Sequence, residues 1–520
     1  MKKQVNILWT DDEIDLLQPH ILFLEGKGYH VSTASNGNDA IELVKKQDYD
    51  LIFLDENMPG LSGLETLKKI VEIRPAIPIV MITKSEEEDI MDAAVGSRIA
   101  DYLIKPVNPN QILLSIKKNI DNRKLITSKT TSDYQSEFRN ISMQLTSASS
   151  FDDWCEIYKR LLYWELELDN SSDSNMYEVF RMQKQEADIE FGKFIKNNYL
   201  SWFDSEVTDK PVLSPSLFRI HIIPELKRSD KIVLLLIDNM RFDQWRVIQP
   251  DINQFYVTEQ ENIYCSILPT STQYARNSIF SGLMPAAIQK LYPDFWFADE
   301  EEVNKNEFEE QMLQLQLQRI GIKARLFYQK IFNNAMGAKV LENLANILQN
   351  DLVVLVYNFV DMLSHANTDV EMIRELASTD PAYRSLTLSW FRHSHMIELF
   401  RELASKNICV FLTTDHGTIR VSHPVKVLGD KTTSRNLRYK LGKNLSYNPR
   451  EVFEILHPEK AQLPKSTVSS KYIFTLRDDF FVYPNNFNYY VKYYTNTYQH
   501  GGISMEEMIL PFIKLKSRIV

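Results

Sequence analysis

The sequence predicts an α/β protein of several domains: a doubly wound α/β domain, a small helical bundle, and a second α/β domain around a central, mostly parallel sheet. Three observations lead to this prediction. The chain of 520 residues is too long for one hydrophobic core. Short apolar runs alternate with amphipathic stretches in its first and last parts. Between these parts the strand signals vanish and an apolar face with helical spacing appears.

The first domain is predicted to span residues 1–122. Its candidate strands are apolar runs at residues 5–9, 51–54, 77–82 and 100–104, with helical periodicity between them. This alternation is typical of a doubly wound sheet. A polar stretch at residues 127–132 follows, and we interpret it as a linker at the domain boundary.

The helical bundle is predicted to span residues 123–207. Five apolar residues have the spacing that places them on one face of a helix: Trp154, Ile157, Tyr158, Leu161 and Leu162. Residues 151–152 open this helix, and the polar run 170–174 ends it before another begins. The stripe suits core packing better than a dimer surface.

The last domain is predicted to span residues 208–520. Near-continuous apolar runs at residues 232–237, 352–359 and 408–412 are typical of strands that are buried on both faces of a sheet. They predict a central parallel or mixed sheet that is covered by helices.

Composition excludes several functional classes. The net charge of −10 argues against a protein that grips duplex DNA by neutralising many phosphates. The three cysteines, Cys155, Cys265 and Cys409, are far apart, so neither a disulfide framework nor a thiolate zinc site is expected. The N-terminus does not resemble a signal peptide, and no apolar stretch approaches the ~18 residues that a membrane span needs. We therefore expect a cytoplasmic protein.

Polar residues of the first domain stand where its strands end. Asp11 and Asp12 follow the first run, Asp55 ends the second, Thr83 ends the next, and Lys105 follows the last. Because the carboxyl ends of parallel strands share one crevice, we expect these side chains to converge. Clustered carboxylates require a cation, and oxygen ligands suit Mg²⁺. Asp55 would attack a phosphoryl group while Lys105 and the Thr83 hydroxyl bind its oxygens.

This pattern resembles the receiver domain of two-component response regulators, over the whole segment. The resemblance implies a flavodoxin-like fold, Mg²⁺, and phosphorylation on Asp55 by a sensor histidine kinase. It also places Asn57 in the receiver site and makes Tyr102 similar to the switch aromatic of the family. The pair at residues 9–10 departs from the apolar pair that is more usual before the acidic doublet, but it touches no catalytic atom.

The last domain repeats this placement with a different set of residues. Carboxylates and imidazoles follow its three apolar runs and recur near the C-terminus: Asp238, Asp361, His365, Asp415, His416 and His500. Asp361 and His365 are four residues apart, so one turn of helix points both at one ion. Asp415 and His416 diverge unless the backbone is irregular, and Gly417 permits such a turn. Mixed carboxylate and imidazole ligands favour Zn²⁺, with Mn²⁺ possible, and six ligands divide into two sets of three.

A nucleophile is predicted in the loop at residues 268–282. Small hydroxyl residues run there into a helix, whose free N–H groups attract anions. Thr270, Ser271 and Thr272 are all chemically capable, and residue type alone does not choose among them. Arg276 and Asn277 either clamp phosphate oxygens or face solvent.

From residue 210 onward the chain resembles the alkaline phosphatase superfamily, and more narrowly the PglZ domain, in the order of its Asp, Thr, Asp-x-x-x-His, Asp-His and late His residues. The resemblance implies that one zinc binds Asp238, Thr272, Asp415 and His416, and that the other binds Asp361, His365 and His500. It selects Thr272 as the nucleophile. Receiver, helical segment and PglZ domain together resemble the PorX family of response regulators associated with type IX secretion. That family implies zinc-dependent hydrolysis of cyclic and linear oligonucleotides and a homodimer when phosphorylated.

Alternatives remain beside this interpretation. The output domain could bind a protein partner of the secretion or transcription machinery, with a structural metal domain. A DNA-binding regulator fits poorly, because no basic helix-turn-helix segment follows the receiver. A sulfatase is disfavoured, because Cys265 and Pro269 are too far apart for its nucleophile signature.

Two further groups of residues each carry two interpretations. His393 and His395 mimic metal ligands, but a solvated helix face explains them better. The aromatic segment 291–297 offers faces for base stacking, although a packed insertion is slightly favoured.

Overall fold

A computed structural model of the chain describes residues 5–74, 77–84, 99–117, 119, 122–169, 174–204, 206–228, 231–297, 305–465, 467 and 469–518, without the side chains of 122–131 and 174–175. The chain divides into two compact units, one of Met1–Gln135 with Ser171–Asp173 and one of Ser136–Asn170 with Ser174–Val520. The predicted α/β multidomain class is confirmed.

The first unit contains a parallel sheet of five strands in the order β2-β1-β3-β4-β5. The strands are β1 Asn6–Thr10, β2 His30–Ala34, β3 Leu51–Asp55, β4 Ile79–Thr83 and β5 Asp101–Ile104. The helices are α1 Gln18–Gly26, α2 Gly37–Lys46, α3 Gly63–Ile73 and α4 Pro109–Ile116, and Ile14–Leu17 forms a 3₁₀ turn. The sequence did not indicate β2, because this edge strand alternates buried and exposed residues and has no continuous apolar run.

Helices cover both faces of this sheet, as the doubly wound pattern predicts. One apolar cluster forms around Trp9 and Phe53, whose ring centroids are 5.2 Å apart, and a second forms around Leu8 and Leu54 on the opposite face. Because both faces are buried, the polar residues of the domain concentrate at the strand ends.

The polar stretch at residues 127–132 does not form an irregular linker. It lies inside a continuous helix, α5 Asn122–Ser147. Intrinsic propensity is a weak guide over so few residues, and the hydroxyl side chains here do not end the helix. The predicted helix break at residues 170–174 falls largely outside the described residues, and the next helix begins at Ser174.

The aromatic stripe is part of the core, as predicted. It lies on α6 Phe151–Asp169, which packs against α7 Ser174–Asn198, and its five side chains are almost fully buried. The ring centroids of Trp154 and Phe191 are 5.4 Å apart, and those of Tyr158 and Phe242 of the last domain are 6.3 Å apart. These helices therefore belong to the same compact unit as the output sheet. The exact domain boundaries remain predictions.

The output sheet has six strands in the order β7-β18-β10-β6-β9-β8. Strands β10, β6, β9 and β8 run parallel, and β18 pairs antiparallel with both β10 and β7. The strands are β6 Ile232–Ile237, β7 Tyr256–Cys265, β8 Leu326–Ile331, β9 Leu352–Tyr357, β10 Cys409–Thr413 and β18 Ile509–Ser517. The apolar runs located the three central strands, whereas half-exposed β7 and β8 carry no such signal.

Helices surround this sheet. They are α8 Ile223–Leu226, α9 Phe242–Ile252, α10 Thr272–Ser281, α11 Pro285–Leu291, α12 Glu309–Arg319, α13 Asn334–Glu342, α14 Leu344–Ile347, α15 Phe359–Asp369, α16 Glu371–Leu376, α17 Asp380–His393, α18 Met396–Ser405, α19 Phe487–Tyr494 and α20 Met505–Met508. Short 3₁₀ or π turns lie at Tyr199–Phe203, Ser214–Ser216, Phe218–Ile222, Pro293–Phe295 and Pro458–Ala461.

An insertion between β10 and β18 forms three small sheets. Its strands are β11 Ile419–Arg420, β12 His423–Lys426, β13 Tyr439–Gly442, β14 Val452–Ile455, β15 Lys471–Thr475, β16 Asp479–Val482 and β17 Tyr498–Gln499. β11, which follows β10, pairs with β17. This pairing brings the chain back to the carboxyl edge of the main sheet just before residue 500. Within the described ranges, no helix combines the length and apolarity needed to cross a membrane.

Candidate metal centres

The first candidate centre lies at the carboxyl edge of the receiver sheet. One carboxylate oxygen each from Asp11, Asp12 and Asp55 lie within 4.8 Å of one another. The Lys105 ammonium lies 2.8 Å from Asp11 Oδ2 and 3.0 Å from Asp55 Oδ1. Thr83 is fully buried at the end of β4. The strand ends thus bring together the residues that the sequence singled out.

Burial sets the charge balance of this centre. It raises the pKa of Asp55 to about 6, and the neighbouring charges of Asp11 and Asp12 add to this effect while Lys105 opposes it. Burial alone would lower the pKa of Lys105, but its ion pairs raise the pKa above the ordinary value. Asn57 lies exposed in the turn after β3, and Tyr102 is half-buried in β5 beside the apolar cluster of Leu8. A divalent cation fits this excess of carboxylates.

The second candidate centre lies at the carboxyl edge of the output sheet and contains two groups of three ligands. In the first group, Asp238 follows β6, and Asp415 and His416 follow β10, its parallel neighbour. All three side chains are buried. His416 Nε2 lies 3.9 Å from Asp238 Oδ1 and 3.8 Å from Asp415 Oδ2.

The second group combines a helix with a distant loop. Asp361 and His365 lie one turn apart on α15, with His365 Nε2 at 3.6 Å from Asp361 Oδ1. His500, which follows β17, places its Nε2 at 3.8 Å from the same oxygen. The rings of His416 and His500 stack with their centroids 4.3 Å apart, so the two groups of ligands lie next to each other.

Neighbouring groups hold the buried His416 and the partly buried His500 in one tautomer. The Nδ1 of His416 lies 3.1 Å from the Gly417 carbonyl, and the Nδ1 of His500 lies 3.3 Å from the Thr270 carbonyl. Because a carbonyl accepts hydrogen bonds, each Nδ1 carries the proton and each Nε2 is left as a lone pair that faces the carboxylates. This is the orientation that a metal ligand requires.

Two asparagines hold the carboxylates. The Asn358 side chain donates to Asp238 Oδ2 at 2.8 Å, and the Asn239 backbone N–H donates to Asp415 Oδ1 at 3.2 Å. Asn239 adopts a left-handed φ of 63°, which asparagine tolerates better than most residues. The Asn239 side chain also reaches Asp361 Oδ1 at 3.4 Å. Neither asparagine was predicted from the sequence.

The pKa shifts of this centre follow from burial among like charges. Burial and the nearby Asp238 charge raise the pKa of Asp361 to about 6, and the same two causes raise the pKa of Asp415 well above its usual range. Burial lowers the pKa of His416, and burial with the two neighbouring imidazoles lowers the pKa of His500 further. Neutral imidazoles beside acids that resist ionisation form a set that a cation would stabilise.

Unpaired oxygens show that the residues fit such cations. Within the part of the chain that the structure describes, Asp238 Oδ1 and Asp415 Oδ2 are buried and accept no hydrogen bond. Buried carboxylate oxygens that accept no hydrogen bond are costly, so a ligand is expected there. Carboxylate and imidazole donors in sets of three suit Zn²⁺, and oxygen ligands alone in the receiver suit Mg²⁺.

The three candidate hydroxyls of the nucleophile loop have different environments. The Thr272 Oγ1 lies 3.1 Å from His416 Nε2, at the first residue of α10. The buried Thr270 hydroxyl donates to the Gly502 carbonyl at 2.9 Å, which fixes the loop before β18. Ser271 is the N-cap residue of α10, and its side chain makes no capping bond. Thr272 is therefore the hydroxyl of the three that faces the ligand groups.

The chain matches three known protein families along its length. Residues 217–515, more than half of it, match the family described as BREX system PglZ alkaline phosphatase-like domain. This chain belongs to the PglZ family. Residues 124–203 match the PorX response regulator linker domain, and residues 7–117 match the response regulator receiver domain. The three matches in this order are those of a PorX-type response regulator with a PglZ output.

Curated relatives match the PglZ chain over short segments. They include the transcriptional regulatory protein ZraR of Klebsiella oxytoca, 34% identical over 26% of this chain and 31% of its own length. The transcriptional regulatory protein ResD of Bacillus subtilis (strain 168) is 35% identical over 22% of this chain and 47% of its own. The chain thus spans less than half the length of these relatives.

Solved structures also match over short segments. A CheY-like receiver domain protein from Methanospirillum hungatei JF-1 is 27% identical over 23% of this chain and 96% of its own, with a TM-score of 0.23. A receiver domain protein from Clostridium thermocellum is 30% identical over 23% of this chain and 98% of its own, with a TM-score of 0.22.

Arg276 has a position in the PglZ domain that neither sequence interpretation anticipated. It is buried on α10, with Nη1 at 2.6 Å from Asp238 Oδ2 and 3.7 Å from Asp415 Oδ2. Its Nε donates to Glu309 at 2.7 Å. Asn277 is also buried and accepts from Asn306 at 2.9 Å. Neither side chain faces solvent, and Arg276 neutralises carboxylates of the centre itself.

Gly417 is required because its position leaves no space for a side chain, a reason that the sequence interpretation did not give. A Cβ at this position would lie 2.0 Å from the Glu506 carbonyl. Its φ is not among the positive ones of the chain. The close approach of α20 to the loop after β10 therefore excludes any side chain next to His416.

The remaining candidates lie outside both ligand groups. His393 is exposed at the end of α17, as predicted, and His395 is half-buried at the start of α18. In the aromatic segment, Trp296 is buried against Tyr274 and Phe295 stacks on Phe308, so packing accounts for these rings.

A third acidic cluster was not foreseen. It consists of His423, Asp478 and Asp479. Its carboxylates are already paired with Ser422 and Arg477, so the cluster is explained without a metal.

Proposed function

We propose that this PglZ protein is a phosphorylation-controlled, zinc-dependent phosphodiesterase that hydrolyses cyclic or linear oligonucleotides. The observation that carries the proposal is the Thr272 hydroxyl, which lies 3.1 Å from His416 Nε2 beside the two adjoining ligand groups. A nucleophile next to two sets of three ligands is the arrangement expected for in-line displacement at phosphorus.

Each residue has a role in this reaction. Asp238, Asp415 and His416 would hold one zinc ion, and Asp361, His365 and His500 would hold the other. When bound, the two ions would supply positive charge that stabilises the attacking and leaving oxygens.

Thr272 would lose its hydroxyl proton to solvent and attack phosphorus, and the bond from phosphorus to one nucleoside oxygen would break, so that this nucleoside leaves as an alcohol. Water would then cleave the bond between Thr272 Oγ1 and phosphorus, which restores the hydroxyl and releases a phosphomonoester. The position of Thr272 at the start of α10 adds the free N–H groups of a helix N-terminus, which favour an anion. The Nδ1–H bonds of His416 and His500 to backbone carbonyls keep both Nε2 atoms directed into the site.

The decisive experiment compares hydrolysis of bis(p-nitrophenyl) phosphate and of a short cyclic dinucleotide by four proteins. Thr272→Val is expected to reduce kcat at least ~10³-fold, and chelation should have a similar effect. Thr272→Ser keeps a hydroxyl and should retain partial activity. Ser271→Ala is the matched neighbour, because this hydroxyl makes no hydrogen bond within the described part of the chain. It should remain active.

Other outcomes would redirect the assignment. Loss in Ser271→Ala with full activity in Thr272→Val would move the nucleophile by one residue. Equal background in all proteins would favour the alternative, a protein-binding output with a structural metal domain.

The receiver supplies the control step in this proposal. A sensor histidine kinase would phosphorylate Asp55 in the presence of Mg²⁺, and the phosphorylated chain would form a homodimer. Beryllofluoride, a stable phosphate mimic, should shift the mass measured by light scattering from monomer to dimer. An unchanged mass would contradict this step.

The PorX-type arrangement supports a role in type IX secretion, with secretion or transcription machinery as protein partners. Deleting the gene in the source bacterium and restoring it with either wild type or Thr272→Val would test whether secretion depends on the hydrolase site. A cytoplasmic location remains part of the proposal.

A further inference from the structure

A separate cavity lies at the carboxyl ends of β8 and β9. Its volume is about 240 Å³, and its walls include Phe332, Asn333, Tyr357, Phe359, Trp390 and His395. It belongs to the same compact unit as the metal centre. None of the six ligand residues lines it, so its side chains have no part in the reaction proposed above.

Aromatic rings form its walls. Phe359 and Trp390 stack in parallel, with centroids 4.5 Å apart and planes within 2°. The ring centroids of Tyr357 and Trp390 are 6.3 Å apart, and the angle between the ring planes is 67°. Phe332 leaves 47% of its surface exposed, which is unusual for a phenylalanine. The walls therefore offer flat apolar surfaces to a planar ligand.

Polar groups lie at the rim of the same cavity. Asn333 uses its Oδ1 to cap α13 through the Met336 N–H, and Asn334, Ser394 and His395 are further lining residues. Amide, hydroxyl and imidazole groups can both donate and accept hydrogen bonds. Apolar walls with a few convergent polar groups are typical of a site for a small organic ligand.

The charge of the lining indicates which part of a phosphoester substrate the cavity can bind. None of the described residues around the cavity is Asp, Glu, Lys or Arg. A phosphate would find no counter-charge there, whereas a neutral planar ring with polar edges would match both walls and rim.

The cavity is linked directly to the metal ligands. The Asp238 N–H donates to the Tyr357 carbonyl at 2.9 Å, and Asn358, between two lining residues, donates to Asp238 at 2.8 Å. Phe359 begins α15, the helix that carries Asp361. Since adjacent strands are about 4.8 Å apart, the ends of β6 and β9 lie side by side. The cavity and the metal ligands therefore lie at the same edge of the output sheet.

We infer that this cavity binds the nucleobase next to the scissile phosphate. The inference rests on the proposed phosphodiesterase function and names the part of the substrate that is recognised. It assigns Trp390, Phe359 and Phe332 as the stacking surface and the rim amides as the groups that contact the base edge.

The kinetic test uses the full chain with zinc and two linear dinucleotides that differ in one base. One substrate carries both bases, and the other is abasic on the side of the cavity. Phe332→Ala, which removes an exposed ring, and Gly337→Leu, which fills the cavity from α13, are the variants. A Cβ at Gly337 would lie 3.4 Å from the His395 side chain, so a leucine extends into the cavity. Tyr489→Ala, which removes a ring that is 64% exposed on α19, is the matched control.

Both cavity variants should raise KM for the complete dinucleotide roughly 5- to 100-fold and leave kcat within about twofold. They should leave kcat/KM for the abasic substrate unchanged, and the Tyr489 variant should behave like wild type on both. An equal loss on both substrates, or no change in KM, would overturn the inference.

A binding test separates this inference from the proposed function. Thr272→Val with zinc is titrated with adenosine and guanosine monophosphate, and tryptophan fluorescence is followed. Stacking on Trp390 should quench the emission, and the double variant with Trp390→Phe should lose this quenching. Quenching that persists in the double variant would exclude this site. If native protein hydrolyses no diester, the proposed function fails, and the titration still decides base binding.

Discussion

The receiver centre and the output centre both bring carboxylates together, but the output centre uses residues that are farther apart in the chain. Both gather carboxylates at the carboxyl ends of parallel strands, and both place one buried or nearly buried cation among them. In the receiver that cation is Lys105, whose side chain is 13% exposed, and in the output it is Arg276, at 3%. The cation of the receiver centre is therefore closer to solvent than the cation of the output centre.

The difference extends to how the ligands arrive. The receiver residues come from four strands that neighbour one another in a single sheet. The output centre takes Asp238 and Asp415 from adjacent strands but obtains His500 from a loop that follows an insertion of small sheets. A compact insertion must therefore fold correctly before the second ligand group is complete.

The largest effect is expected from Arg276→Met in metal-free protein. The substitution leaves Asp238, Asp415 and the buried Glu309 without their shared cation, so we expect a loss of about 3–5 kcal/mol in the output domain. Hydrogen exchange of the β6 and β10 peptides measures this loss, and zinc should restore part of it. Arg392→Met is the control, since that side chain is 53% exposed and should change little. Equal effects of the two variants would remove the special role of Arg276.

Asp361→Asn tests the proposal that the output centre binds two ions, against the single ion proposed for the receiver. The variant lacks the carboxylate that lies near both His365 and His500, so the bound zinc should fall from two ions to one per chain. Zinc affinity of the second group should fall at least ~100-fold. Elemental analysis after dialysis measures both, and Asp478→Asn, in the paired acidic cluster, should leave the stoichiometry unchanged. Two retained ions would contradict the division into two sets.

Asp55→Asn tests how the stability of the receiver depends on pH. Burial raises the pKa of Asp55 from 3.8 to about 6, so the folded receiver holds this proton more tightly than the unfolded chain. Receiver stability should therefore fall as pH rises from about 4 to about 6 and stay low above that range. The variant lacks this titration and should exceed wild type by roughly 1–3 kcal/mol at pH 7. Hydrogen exchange of β3 peptides in EDTA measures it, and a variant that is less stable than wild type at pH 7 would contradict the sign.

The smallest effect is expected from Lys105→Met. This side chain is partly exposed, and water can replace part of its interaction with Asp11 and Asp55. We expect a loss of about 1–2 kcal/mol in metal-free receiver, below the loss for Arg276→Met. The same exchange measurement on β1 peptides compares the two directly, and added Mg²⁺ should reduce the difference. A larger loss than at Arg276 would reverse the comparison.

The candidate residues of both centres could be recognised from local patterns in the amino-acid sequence. Continuous apolar runs located β3, β6, β9 and β10, because strands buried on both faces must be apolar along their length. Acids and histidines at the ends of such runs then converge by the geometry of parallel sheets. The spacing of Asp361 and His365 placed both on one turn of α15. These features depend on local pattern, and local pattern is visible in a sequence.

Other features of the fold and of the sites depend on contacts that exist only in the folded chain. Half-exposed strands such as β7 and β8 carry no clear period, and the helix through residues 127–132 contradicts its own local composition. Which hydroxyl faces His416, why Gly417 has no side chain, and where Arg276 points depend on contacts between segments that are far apart in the chain. Such contacts are set by packing in three dimensions, so no local pattern of residues encodes them.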